Sequence, residues 1–155
     1  MTVTDRLKLA AFDEEDLAVL SAHAQDAVLK VADLVYLPKE SRFAFAMNRF
    51  IWEKAEGGRR RDYERRRAAM SFDRVISVKT SHIRRDRGEA VLELLALRFE
   101  ATDQPAGTIT LVFAGGGAVR LEVECIEARL ADLGAAWATK AKPSHDLAAA
   151  AKPGA

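Results

Sequence analysis

The chain predicts an α+β domain built on an antiparallel sheet, and three observations predict it. An acid-capped amphipathic helix opens the sequence. Six stretches of β-branched and aromatic residues follow, separated by short turn signals. A last stretch with helical spacing ends at a glycine. The order helix, six strands, helix, with short connections, predicts a meander whose neighbours pair antiparallel and whose one face packs on the two helices.

The opening helix is expected over about Glu14 to Ala27. Asp13 can accept from the free N–H groups at its start, and Glu14, Glu15 and Asp16 suit the positive end of its dipole. Phe12 and Leu17 stand at the positions of a hydrophobic staple, and Leu17, Leu20, Ala24 and Val28 continue a helical stripe. Val31 to Leu37 and Arg42 to Glu53 read as a hairpin turned at Pro38-Lys39-Glu40-Ser41. The alternation of Phe43, Phe45 and Met47 slips near Asn48-Arg49, which a bulge or a strand covered on both faces would explain. Lys54 to Ala69 is glycine- and arginine-rich and reads as a loop insertion, with a short helix over Asp62 to Ala69 as the alternative. Phe72 to Thr80 returns to strand chemistry, and Arg84 to Gly88 is a turn.

Ala90 to Glu100 fits both periods; the strands that flank it favour a strand. Gly107 to Phe113 and Val119 to Val123 form the clearest hairpin, turned at Gly115-Gly116-Gly117. Cys125 to Leu133, with Ile126, Leu130 and Leu133 at helical spacing and Gly134 as a C-cap signal, reads as the closing helix. A strongly bent form of this sheet, closed by that helix, would resemble a pleckstrin-homology-like half-barrel in element order. One domain is expected over residues 7–146, carrying the loop insertion at 54–69, with a disordered tail over 147–155.

Composition narrows the function classes. The 155 residues are 49% hydrophobic and 30% charged, enough for an ordered core without disulfide or metal. The net charge is +1, so attraction to nucleic acid or membrane must come from local clustering. Cys125 is the single cysteine, which fits a reducing compartment. No run approaches the ~20 apolar residues of a membrane span. A cytoplasmic protein without membrane contact is the expectation.

No catalytic or metal constellation emerges, and no cofactor motif is present. His23, His82 and His145 are far apart, whereas zinc ligands cluster in pairs. Ser144-His145-Asp146 has the residue types of a hydrolytic triad, but triad members converge from separated parts of a chain. Cys125 is flanked by Glu122, Glu124 and Glu127, which disfavour a thiolate. The triple glycine leads into a strand, unlike a phosphate loop. Glu93, Glu100, Glu122 and Glu124 alternate with Arg98 and Arg120 as on a solvated sheet face.

The sharpest signal is basic. Lys54 to Arg67 holds seven basic and three acidic side chains, a local charge of +4. Arg59, Arg60, Arg61, Arg65, Arg66 and Arg67 surround Tyr63. Arginine forks hold phosphate oxygens, and an interleaved aromatic can stack on a base. Arg74, Lys79, Arg84, Arg85 and Arg87 would extend the patch if they share an edge with it. A solvated loop explains the same run.

Phe12-Asp-Glu-Glu-Asp-Leu-Ala-Val-Leu-Ser-Ala-His, Tyr36-Leu-Pro-Lys-Glu, Phe72-Asp-Arg-Val, Phe113-Ala-Gly-Gly-Gly and Cys125-Ile-Glu-Ala-Arg-Leu-Ala-Asp-Leu-Gly-Ala-Ala-Trp-Ala-Thr-Lys carry a resemblance. Nearly the whole chain resembles a family of small alphaproteobacterial proteins classed as a domain of unknown function. The resemblance implies a bacterial, cytoplasmic origin and assigns no activity, cofactor or catalytic residue. It also implies that Trp137 to Asp146 belongs to the domain.

Together these readings favour a non-enzymatic binding or adaptor domain with a protein partner or self-association. The first alternative is binding of RNA or a phosphate-bearing ligand through Arg59 to Arg67. An enzyme acting on a small anionic substrate comes last.

Overall fold

A computed structural model describes residues 6–51, 63–134 and 137–139. Its strands are β1 (Lys8–Ala11), β2 (Val28–Lys30), β3 (Val35–Leu37), β4 (Arg42–Phe50), β5 (Tyr63–Phe72), β6 (Val75–Ser81), β7 (Val91–Ala101), β8 (Gly107–Phe113), β9 (Ala118–Val123), β10 (Ala128–Asp132) and β11 (Trp137–Thr139). The one α-helix among the described residues is α1 (Glu14–Ala24). Every strand pairing is antiparallel.

The ladder runs β1-β10-β5-β4-β2-β7-β8-β9-β6, with β11 also on β5 and β3 also on β4. It has two halves. One is centred on the long β4–β5 pair, the other on the β7-β8-β9-β6 meander. Short β2 joins them, pairing Val28 with Asn48 on one side and Val28 to Lys30 with Glu93 to Val91 on the other. The chain crosses between halves at Asp73-Arg74, where Arg74 takes φ 63° and the Val75 N–H donates to the Ser41 carbonyl.

A single core fills the space between the halves. Phe43, Phe45 and Met47 of β4 and Ala68, Met70 and Phe72 of β5 point into it. Leu94 of β7, Ile109, Leu111 and Phe113 of β8 and Val119, Leu121 and Val123 of β9 meet them, with Leu17, Leu20 and Ala24 of α1 beside them. As its sequence predicts, α1 starts at an Asp13 cap whose Oδ1 accepts from the Asp16 N–H at 2.8 Å. Phe12 stays 60% exposed, with the Arg129 guanidinium 5.9 Å from its ring centre.

The predicted α+β architecture is corrected in three places. The closing helix is strand β10, flanked by β1 and β5. Ile126, Ala128, Leu130 and Asp132 are buried in step, a period of two, while Leu133 is 53% exposed. Helical spacing of Ile126, Leu130 and Leu133 was a coincidence that two flanking ladders override. Without that helix the pleckstrin-homology-like half-barrel falls away. The six-stranded meander also fails: β1, β2, β5, β10 and β11 add to it, and Val31–Asp33 is a 3-10 turn.

Third, the insertion placed at 54–69 is strand from Tyr63 onward, neither loop nor short helix. The slip at Asn48-Arg49 resolves as a strand covered on both faces. The β4–β5 register runs unbroken from Phe43↔Phe72 to Phe50↔Arg65, and Met47, Asn48, Arg49 and Phe50 are all buried. Ala90 to Glu100 is β7, as the flanking strands suggest, and the Pro38 to Ser41 hairpin pairs β3 with β4.

Candidate functional site

The arginine-rich segment points inward where the structure describes it. On β4 and β5 the core face continues past Met47 and Ala68 to Arg49 and Arg66, which stand directly opposite each other. Asp132 of β10 lies between them. Arg49 Nε donates to Asp132 Oδ1 at 2.8 Å, Arg49 Nη2 to Oδ2 at 3.1 Å, and Arg66 Nη1 to Oδ2 at 3.1 Å. The Leu7 N–H donates to Oδ2 at 2.8 Å. Burial alone would raise the Asp132 pKa. The Arg49 hydrogen bonds and charge, the Leu7 amide and Arg66 outweigh it and hold the carboxyl below its ordinary range.

The opposite face of the same pair is polar as well. Arg65 donates to the Asn48 carbonyl at 3.1 Å and lies 6.0 Å from the Phe50 ring centre. Arg67 donates to Asn48 Oδ1 at 3.2 Å and reaches Asp33 at 4.0 Å. Nearby, Glu93 is hydrogen-bonded to Asp26. Its burial and that carboxyl hold its pKa above the ordinary range, with Arg65 pulling the other way. These residues stabilise the fold rather than present a surface.

The other predicted site residues do not gather around them. Arg59, Arg60 and Arg61 lie outside the described residues, and Tyr63 is placed only as the first residue of β5. Arg74 follows β5 at its far end, and the seven steps from Arg65 to Phe72 alone span about 23 Å at ~3.3 Å each. There it sits 3.7 Å from Glu124 and 3.4 Å from Glu127. Lys79 is exposed on β6, and Arg84 is exposed and held 3.4 Å from Asp86.

Two hollows remain. The first, about 810 Å³, surrounds the Asp73-Arg74 crossing. Its arginines are already neutralised: Arg42 and Arg129 share Asp73 at 2.8 and 3.1 Å, and Arg74 meets Glu124 and Glu127. It is an open network of surface ion pairs, which contribute little and leave no charge for a ligand.

The second hollow, about 460 Å³, lies at the seam where β3 of one half approaches β6 of the other. Its floor is apolar: Val31, Leu34, Phe43 and Val78. Tyr36 crosses the seam and donates its hydroxyl hydrogen to the Ile76 carbonyl at 3.2 Å. Thr80 and Arg85 supply the remaining polar side chains of the lining.

The outer wall is built in place by the turn from Arg84 to Ala90. Arg87 N–H donates to the Arg84 carbonyl at 2.9 Å and Ala90 N–H to the Arg87 carbonyl at 3.0 Å. Val31 and Ala32 N–H groups then tie the turn to the floor, donating to the Ala90 and Gly88 carbonyls at 2.9 and 3.0 Å. A Cβ on Gly88 would stand 3.2 Å from the Ala32 Cβ, so the close approach suits glycine. The turn therefore holds Arg85 at the mouth, and among the described residues no carboxylate pairs with it. In the sequence Arg85 counts only as one of the basic residues beside the arginine patch, and the cavity leaves no signal there.

Other sequence candidates are dispersed. His23 is half-buried on α1, His82 is exposed at φ 56°, and His145 lies outside the described residues with Ser144 and Asp146. Cys125 is half-buried. Among the described residues no three His, Cys, Asp or Glu side chains are grouped to hold a metal ion, and no helix is long and apolar enough to cross a membrane. Gly115 and Gly116 take φ 85° and 93° in the turn from β8 to β9, a left-handed conformation that glycine accepts without strain.

Residues 7–145 match a family described as a protein of unknown function, DUF2948, and the chain belongs to it. No curated protein and no solved structure matches the chain. The family match carries no activity and no source.

Proposed function

We propose that this DUF2948 domain is a non-enzymatic binding module whose ligand enters the cavity between β3 and β6. The observation that carries the reading is a cavity held open by backbone hydrogen bonds, apolar at its floor, with an arginine at its mouth that no carboxylate of the described residues neutralises. Ligand sites are concave, mostly apolar, largely preformed and marked by a few polar groups. About 460 Å³ lies within the usual range of roughly 300–1,000 Å³.

The lining supports binding over catalysis. Its ionisable side chains are Tyr36 and Arg85, and the Tyr36 proton is already given to Ile76.

Filling the cavity tests the reading. Val78→Trp places an indole in the hollow from a half-buried position on β6. Small aromatic and aliphatic ligands titrated by amide NMR should shift Phe43, Val78 and Gly88 in the natural chain. They should leave Val78→Trp unperturbed while its spectrum stays dispersed. Shifts that survive in the filled variant, or that fall elsewhere on the surface, would reject the cavity as the site.

A further inference from the structure

We infer that the cavity takes a singly charged carboxylate with an apolar body, its head on Arg85 and its body over Phe43 and Leu34. The inference rests on the cavity being a binding site and adds the chemistry of the ligand. Three features of the lining argue for it.

The first is the count of charge. Arg85 is the single cation of the lining. Val78 and Thr80 face the cavity, so Lys79 between them falls on the opposite side of β6. Arg84 is held by Asp86, with Nε 3.4 Å from Oδ1 and Nη2 3.4 Å from Oδ2. One guanidinium neutralises one negative charge, which suits a carboxylate and leaves a dianionic phosphate half-compensated. The planar fork of arginine also matches both oxygens of a carboxylate.

The second is the placement of donors. Thr80 carries a rotatable hydroxyl, and Arg85 has five N–H donors. The Tyr36 oxygen has committed its hydrogen to Ile76 and can only accept. An anionic head therefore finds donors at Thr80 and Arg85 and is repelled from the Tyr36 lone pairs. This polarity orients the ligand with its head at the mouth.

The third is size. At about 30 Å³ per water, 460 Å³ equals the room of about fifteen waters, so a body of on the order of ten to fifteen non-hydrogen atoms fits. Leu34 and Val78 are half-buried and give the floor its accessible apolar surface, with Phe43 packed beneath at 3% exposure. The remaining apolar contact area is what the body of the ligand would cover.

The test uses four probes with a phenyl ring on the same four-carbon skeleton: phenylbutyrate, phenylbutanol, phenylbutylamine and phenylbutyl phosphate. Each is titrated into the full chain and into Arg85→Gln, Arg85→Glu and Val78→Trp, with cavity amide shifts as the readout. Phenylbutyrate should bind the natural chain at least tenfold more tightly than the alcohol or the amine, and more tightly than the phosphate. Arg85→Gln should bring acid and alcohol to equal affinity, and Arg85→Glu should favour the amine.

Equal affinities of acid and alcohol in the natural chain would overturn the carboxylate assignment. If alcohol binding is still lost in Val78→Trp, the cavity stands as a binding site without it. Tighter binding of the phosphate would also overturn it, in favour of a dianion. If no probe moves the cavity amides at millimolar concentration, both readings fall.

Discussion

At the residue scale the decisive group is Asp132. It is the acceptor for two buried guanidinium groups and one backbone amide. Removing one partner of a buried ion pair leaves the other charge without compensation, typically at a cost of about 3–5 kcal/mol. Asp132→Asn should therefore lower the urea midpoint sharply, whereas Asp86→Asn, on an exposed pair, should change the unfolding free energy by less than about 1 kcal/mol. The pH dependence has a definite sign. A carboxyl whose folded pKa lies below its unfolded value of about 3.9 contributes stability above that value and loses it as pH falls through the folded pKa. Acid unfolding starting below about pH 4 should be reduced in steepness by Asp132→Asn. Glu93 has the opposite sign. Its raised folded pKa favours the folded state at low pH, and that gain is lost as pH rises from about 4.3 through the folded value. In Glu93→Gln, unfolding free energies measured across that window should no longer fall with rising pH. Gly107 supplies a steric counterpart. A Cβ there would come within 2.4 Å of the Phe99 ring and 2.6 Å of the Glu100 carbonyl. Gly107→Ala should cost about 1–3 kcal/mol and lower the melting temperature by several degrees.

At the element scale β10 separates the observed fold from the helix that spacing suggests. A helix over Cys125 to Leu133 would put Leu130 and Leu133 on one buried face. The strand buries Leu130 completely and leaves Leu133 mostly exposed. Leu130→Ala should therefore cost about 2–5 kcal/mol, and Leu133→Ala should stay within about 0.5 kcal/mol. Equal effects in chemical denaturation would contradict the strand. The segment illustrates why local propensity is a weak guide here: alanine, leucine, arginine and glutamate favour helices in isolation, but β1 and β5 offer ladders on both edges. β5 shows the converse. Its run of three arginines reads as solvent-facing until β4 and β10 bring Asn48 and Asp132 alongside.

At the scale of the whole molecule, two half-sheets share one core, with β2 as the hydrogen-bonded joint and α1 beside both β4 and β7. A contiguous core of this kind predicts cooperative loss of both halves together. Amide NMR signals from β4–β5 and from β7–β8 should disappear at the same urea concentration, and Leu20→Ala should shift both equally. Separate transitions would mean that the halves fold independently. The candidate cavity belongs to this scale, because its β3 side and its β6 side come from different halves.

The sequence by itself determined the antiparallel sheet, the Asp13-capped helix and the hairpins at Pro38 and Gly115, because these rest on contacts between near neighbours in the chain. Residues 107–123 were legible for that reason: alternation and a glycine turn act within a few residues. Tertiary structure alone decided the closing segment, the state of Arg65 and Arg66, and the site. Asp132 lies 83 residues from Arg49 and 66 from Arg66, so no local pattern could reveal that one buried carboxylate holds both arginines inside the fold. Arg85 looks like its neighbours in sequence. What distinguishes it is that Arg84 has Asp86 while Arg85 stands over a cavity whose floor comes from Val31, Leu34 and Phe43, more than forty residues earlier. Burial and neutralisation are properties of distant partners, and only folding brings those partners together.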